Sequence, residues 1–185
     1  EAVAEARSVT RGPFTQADSL RGALRPARSY DVLHYDLALA VDFAEQGISG
    51  RCRMAARTTQ PLDSLQVDLY ANMAIDSIRL QGQGTTLPYR RVANAVFVQL
   101  PRTLPGDTLF RLDVHYHGQP QRARRPPWDG GFVWRQGGGK PWLTVACEGD
   151  GASLWWPCKD HLSDEPDSMA LHITLPQELM AVCNG

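Results

Sequence analysis

The side chains in this 185-residue chain that could hold a metal or move a proton are five histidines, four cysteines and twenty carboxylates. A hydrolytic zinc helix needs H-E-x-x-H, in which two histidines one turn apart share a face and a glutamate between them activates water. None of His34, His115, His117, His161 or His172 has that neighbourhood. His115 and His117 stand two apart, and a strand would place them on one face within reach of one ion. A third ligand is not evident, and the flanking Arg111 and Asp113 fit an exposed strand face. The cysteines Cys52, Cys147, Cys158 and Cys183 form no C-x-x-C pair, so neither a zinc ribbon nor a thioredoxin-type redox site is indicated. They read as buried free thiols, with three pairings open in an oxidising compartment. The glycines of "QGGGK" lie between two β-like runs with no helix start behind them, which predicts a hairpin turn rather than a phosphate cradle. No G-x-S-x-G elbow, P-loop or dinucleotide fingerprint occurs.

One strip concentrates what chemistry there is. Residues 148–169, "EGDGASLWWPCKDHLSDEPDSM", carry two tryptophans, a cysteine, a histidine and six carboxylates. On residue type alone, Glu148 solvates a strand end before "GDG". Trp155, Trp156, Pro157 and Cys158 pack a turn, since aromatic side chains beside a proline contribute buried area. Asp160, Asp164, Glu165 and Asp167 read as turn and cap residues around Pro166, because Asx-type turns need side-chain acceptors. A calcium loop would alternate carboxylates around an obligatory glycine, and that order is not met.

The elements that must position these residues are strands. From Leu33 the odd positions Leu33, Tyr35, Leu37, Leu39, Val41 and Phe43 are apolar while His34, Asp36 and Asp42 fall between them, the period of a half-buried strand. After "AEQG", Ile48, Cys52, Met54 and Ala56 share one face and Ser49, Arg51, Arg53 and Arg57 the other, which predicts an antiparallel hairpin. Further strand signals run over 65–70, 75–80, 95–100 and 110–116, then in "PWLTVACE" and "MALHITL". Only "FTQADSLRGAL" reads as helix, with Thr15 as N-cap and Asp18 three residues on. The chain is therefore all-β and mainly antiparallel, a sandwich or curved multi-sheet architecture with a short N-terminal helix.

Composition excludes some partners. With 43% hydrophobic residues, 21% charged residues and a formal net charge of -1, the chain can bury a core and presents no broad field toward nucleic acid or an anionic membrane. The cluster Arg122, Arg124 and Arg125 sits beside Pro126 and Pro127 as a solvated loop. No apolar run approaches a membrane span, and no signal-type apolar segment is present.

The order of segments "SYDVLHYDLALAVDF…ISG", "LQVDLYANMAIDSIRL", "LPYRRVANAVFVQLPRTLPGDTLFRLDVHYHG", "GGFVW" and "VACEGDGASLWWPCKDHLSDEPDSMALHITLP" resembles the N-terminal domain of the aminopeptidase N family of zinc metallopeptidases. The resemblance covers about residues 30–185, leaving 1–29 as a leader segment with the short helix. "SLWW" stands where many relatives carry an Arg before the aromatic-Pro-Cys turn, and "HLS" is inserted before "DEP". These departures point to a bacterial subgroup.

The resemblance implies a saddle-like β domain lying over a separate catalytic domain that carries G-x-M-E-N and H-E-x-x-H. Neither motif occurs in this chain. The segment is thus expected to be the first domain of a longer zinc aminopeptidase, inactive and zinc-free alone, and able to self-associate through the face its catalytic domain would cover. The resemblance further implies that Glu148 helps hold the free α-amine of a peptide substrate, and that Trp156, Pro157, Cys158, Asp164 and Pro166 shape the turn beside it. Export to the periplasm or beyond is the compartment it favours. Two other classes fit an all-β chain whose five tryptophans lie in one third of its length: a carbohydrate-binding or adhesion module, and a purely structural interdomain module.

Overall fold

A computed structural model describes residues 15–126, 128–147 and 149–183. After helix α1 (Gln16–Gly22) and a 3-10 turn (Pro26–Arg28), ten strands follow: β1 (Tyr30–Asp42), β2 (Gly47–Thr58), β3 (Leu62–Asp68), β4 (Met73–Leu80), β5 (Tyr89–Val92), β6 (Ala95–Leu104), β7 (Leu109–Gly118), β8 (Gly131–Gly137), β9 (Lys140–Ala146) and β10 (Ser168–Thr174). They form a five-stranded sheet in the order β10-β1-β2-β7-β4, a three-stranded sheet β3-β6-β5 and the hairpin β8-β9. Every pairing between strands is antiparallel except β1 with β10.

Alternation builds the core. Ile48, Cys52, Met54 and Ala56 of β2 are all buried, as are Phe110, Leu112, Val114 and Tyr116 of β7. They meet Leu62, Leu65, Val67, Val96 and Val98 of the smaller sheet in one apolar cluster. The alternation expected in β1 fails at one point. Leu33 belongs to a bulge between Val32 and His34, so Tyr30 and Val32 face the core before it and Tyr35, Leu37 and Leu39 after it. An extra residue reverses the facing of everything beyond it. The short strand β5 was not signalled as a separate element, because four residues reading "YRRV" carry too few alternations to register.

The run from Leu65 to Asp68 is buried at every position. One face of β3 packs on the core; the other is covered by the N-terminal segment. Tyr30 donates its hydroxyl to the Gln66 carbonyl at 2.7 Å, and Gln66 Nε2 reaches the Leu20 carbonyl at 3.2 Å. Residues 15–29, set apart by sequence as a leader, thus pack onto the small sheet. Thr15 directly precedes α1, and its carbonyl accepts from the Ser19 amide at 3.1 Å. The Asp18 side chain lies outside the described residues.

The "QGGGK" stretch closes β8 onto β9. Gly137 pairs with Lys140, and Gly138 and Gly139 have φ of 58° and 78°. Two successive positive φ values match a type I′ turn, which glycine adopts without steric cost.

Candidate functional site

The strip from Cys147 to Asp167 crosses from the end of β9 to the start of β10 and is fastened to nearly every neighbouring element. Its centre adds an isolated antiparallel bridge to the small sheet. The Asp68 amide donates to the Cys158 carbonyl at 2.7 Å, and the Cys158 amide returns to Asp68 at 3.1 Å. Cys52 Sγ donates to the Pro157 carbonyl at 3.3 Å, tying the same turn to β2. Burial holds the Cys52 and Cys158 thiols well above the usual thiol range, so both are unreactive at neutral pH.

Around this bridge two cation–carboxylate pairs are withdrawn from water. Asp68 accepts from Arg28 Nη2 at 2.5 Å, Gln66 Nε2 at 2.9 Å and the Asp160 amide at 3.1 Å. Desolvation pushes its carboxyl up to about 6, against the opposing pull of Arg28 and of the Gln66 and Asp160 hydrogen bonds. Lys159 Nζ lies 2.5 Å from Asp164 Oδ2 and 4.7 Å from the centre of the Tyr30 ring, and also donates to the Tyr30 carbonyl. Asp164 in turn accepts from the Val32 amide at 3.3 Å, beside the β1 bulge.

The acids of the strip therefore do more than shape turns beside Pro166. Asp160 accepts from the Ser153 hydroxyl at 2.5 Å, and Asp164 fastens β1. Trp155 and Trp156 join a run of ring contacts, edge-on except for the tilted Phe132–Trp134 pair. Trp156 meets Tyr35 at 4.7 Å, Trp155 meets Phe132 at 5.8 Å, and Phe132 leads through Trp134 to Phe43. This run fixes the hairpin β8-β9 against β1. Arg28, Asp68, Lys159 and Arg21 are the structural contributors that sequence reading missed. A charged Asp68 inside the apolar run "LQVDLY" was the available signal, since a buried acid demands a partner.

Glu148, the residue that carried the functional expectation, lies outside the described residues. Its neighbours on both sides are held. The Gly151 amide closes onto the Cys147 carbonyl at 2.9 Å, Asp150 Oδ2 accepts from the Gly130 amide at 2.7 Å, and Arg21 Nη2 donates to the Gly149 carbonyl at 3.0 Å. Gly151 has φ 82° and ψ 168°, a region that is essentially glycine-only, and a Cβ there would stand 2.1 Å from Asp160 Oδ2. Gly151→Ala is expected to cost on the order of 1–3 kcal/mol from the backbone alone. The clash adds to that, and a urea midpoint equal to the wild type would refute this account of the turn.

His115 and His117 lie on the face of β7 opposite the core, where Arg53 meets Asp113 at 2.7 Å and His117 Nδ1 meets Asp76 at 2.7 Å. Among the described residues no group of three or more His, Cys, Asp and Glu is placed to hold a metal ion. This donor set does not fit zinc.

Fold and site define the class: an all-β, mainly antiparallel domain of several sheets whose acidic, tryptophan-bearing strip is bolted across the sheets by buried ion pairs. The chain is similar to the M1 zinc metallopeptidase from Deinococcus radiodurans, a point mutant of which was solved with a Tyr-Ser-Ala substrate. Identity is 28% over 79% of this chain and 32% of that one, with a TM-score of 0.62. A two-domain M1 zinc metallopeptidase mutant bound to L-arginine matches at 28% identity over 81% of this chain and 33% of that one, TM-score 0.64. One bound to L-tryptophan matches at 28% over 79% and 33%, TM-score 0.63. Over about 80% of its length the chain is similar to these M1 zinc metallopeptidases, the aminopeptidase N family, and the match is consistent with an N-terminal domain. It spans about a third of the length of the structures it matches. No protein-family model and no curated protein matches the sequence.

Proposed function

We propose that residues 30–185 form the non-catalytic N-terminal domain of a zinc-dependent aminopeptidase, lying over a catalytic domain and supplying Glu148 to hold the free α-amine of the substrate. A carboxylate suits that task, because an ammonium group offers three donors and gains a short charge-assisted bond in a water-poor cleft. The observation that supports the reading is the fastening of Gly149, Asp150 and Gly151 to α1, to Gly130 just before β8 and to Cys147 just after β9. The ligands held by the similar peptidases, a tripeptide and two amino acids, each carry an α-amine.

A covering domain also accounts for the exposed apolar side chains. Trp142 and Val145 of β9 are 59% and 41% exposed, and Trp128 is 79% exposed. The same two tryptophans favour a second reading, a sugar-binding face, and glycan binding by the isolated chain would turn the balance to it.

The test is enzymatic. A full-length parent is expected to release amino acids from free-amine aminoacyl anilides and to lose that activity to a chelator. The 185-residue chain, dialysed at neutral pH, is expected to hold no stoichiometric zinc and to hydrolyse none. One tightly bound zinc per chain, lost on replacing His115 and His117, would overturn this division of labour.

A further inference from the structure

We propose that the outer face of the five-stranded sheet docks onto an anionic phospholipid surface in acid, with four histidines of that face as the groups that engage it. This face lies opposite the core and does not include the hairpin tryptophans. Backbone register decides which side chains stand on it. Beyond the bulge, Tyr35, Leu37 and Leu39 of β1 face the core, so His34, Asp36 and Ala38 face outward. Residues directly opposite on neighbouring strands share a face. His172 of β10 is opposite Ala38, and Ser168 is opposite His34, whose Nδ1 lies 2.8 Å from the Ser168 hydroxyl. Asp36 stands in one row with Arg53 of β2, Asp113 of β7 and Arg79 of β4; Ala38 stands in the next with Arg51, His115 and Ser77. His117 follows in a third row with Ser49 and Ala74. Four of the five histidines thus share one face of one sheet. The fifth, His161, is held in the strip between the Ser163 hydroxyl and the Gly22 carbonyl.

The fixed charges on this face cancel. Arg51, Arg53, Arg57, Arg79 and Arg111 stand against Asp31, Asp36, Asp42, Asp76 and Asp113. Asp113 meets Arg53 at 2.7 Å, Asp36 meets Arg51 at 3.5 Å, and the Asp42 carboxylate takes the Ala44 and Glu45 amides. His172 Nε2 lies 3.6 Å from Asp36, and His117 Nδ1 lies 2.7 Å from Asp76. At the rim Asp107 meets Arg57, and Asp167 and the Lys159-paired Asp164 flank Asp31. These rim acids stand at the opposite end of the strands from His115, His117 and His172, where Glu45 lies in the turn after β1. Histidine is the side chain whose charge changes between pH 8 and 5, so in acid this face gains four positive charges. The formal net charge of -1, which takes histidine as neutral, conceals that change. Between the charged groups stand small side chains, Ala38, Ala40, Ser49, Ala55 and Ala74, and no tryptophan, tyrosine or phenylalanine. The face therefore offers no such ring to stack on a sugar or a base. Strands about 4.8 Å apart spread its charges over a width of about 20 Å, which suits the array of phosphates on a bilayer better than a single strand of polyanion.

The experiment sediments the 185-residue chain with vesicles of phosphatidylcholine alone or mixed with phosphatidylglycerol, at about pH 7.5 and about pH 5.5. Near-ultraviolet dichroism checks that the fold persists at both. Affinity for the anionic vesicles is expected to rise about tenfold or more on acidification, to fall at high salt, and to be absent on phosphatidylcholine alone. The quadruple variant His34→Gln/His115→Gln/His117→Gln/His172→Gln is expected to lose the rise, and His161→Gln to keep it. Ser49→Arg/Ala74→Arg adds permanent charge at two exposed positions beside His117 and is expected to bring binding at pH 7.5, an arm that does not depend on the quadruple variant folding. Equal binding at the two pH values, a quadruple variant that keeps the rise, or a double arginine variant still unbound at pH 7.5 would each overturn the proposal. Retention on dextran sulfate in acid with the vesicles left unbound would overturn it too, by giving the face to another polyanion.

Discussion

Asp68→Ala is expected to destabilise the folded chain by about 3–5 kcal/mol, a large part of the roughly 5–15 kcal/mol available to a domain. The carboxylate is the meeting point of the N-terminal segment, β3 and the acidic strip. It is 1% exposed and takes three donors, from Arg28, Gln66 and the Asp160 amide. Truncation leaves the Arg28 guanidinium, whose side chain is fully buried, without a counter-charge, and strands two further donors. A double variant, Arg28→Met with Asp68→Leu, is expected to recover much of the loss, since a buried pair replaced by apolar groups is often close to neutral. Urea unfolding at constant m-value measures both.

The pH dependence carries a sign of its own. Burial raises the Asp68 carboxyl to about 6 in the folded chain, above its value of about 3.9 when unfolded. The folded state therefore binds more protons between those values, and the stability linked to this group is complete below about 4 and lost as pH rises through about 6. Asp68→Ala cannot show this linkage, so its penalty is expected to grow as pH falls from 7 to 5. A penalty below about 1 kcal/mol at pH 7, or a double variant no better than the single, would remove Asp68 from the centre of the fold.

Glu148→Ala in the full-length parent is expected to lower kcat/KM on free-amine peptides by about ten- to hundredfold, on the order of 1.5–3 kcal/mol for one charged partner of a desolvated ammonium. Folding should be nearly untouched, because a carboxylate that serves a ligand does not hold a core together. If Glu148 meets the amine equally in ground and transition states, KM rises at constant kcat; if it also orients the scissile bond, kcat falls with it. Peptides acetylated at the N-terminus gain little from the residue and so lose little. Equal losses on free and acetylated substrates, or a variant that melts several degrees early, would return Glu148 to the ordinary acids that solvate a strand end.

The class of the fold was legible because it is written in local alternation. The apolar sides of β2 and β7, the hairpin turn at Gly138–Gly139 and the short helix after Thr15 each follow from side chains a few residues apart. The crowding of acids and tryptophans in residues 148–169 was equally plain. The sequence was silent on which acid meets which cation. Asp68 pairs with Arg28 across 40 residues, and Lys159 reaches the Tyr30 carbonyl across 129. Nothing in the periodicity of one strand encodes the place of another. The Leu33 bulge is likewise invisible, since an extra residue leaves the apolar count intact and changes only the register against β2. Composition marked the strip as chemical; tertiary packing turned Asp68, Asp160 and Asp164 into its fasteners, because only the closed fold brings their partners close enough to offset the cost of burying charge.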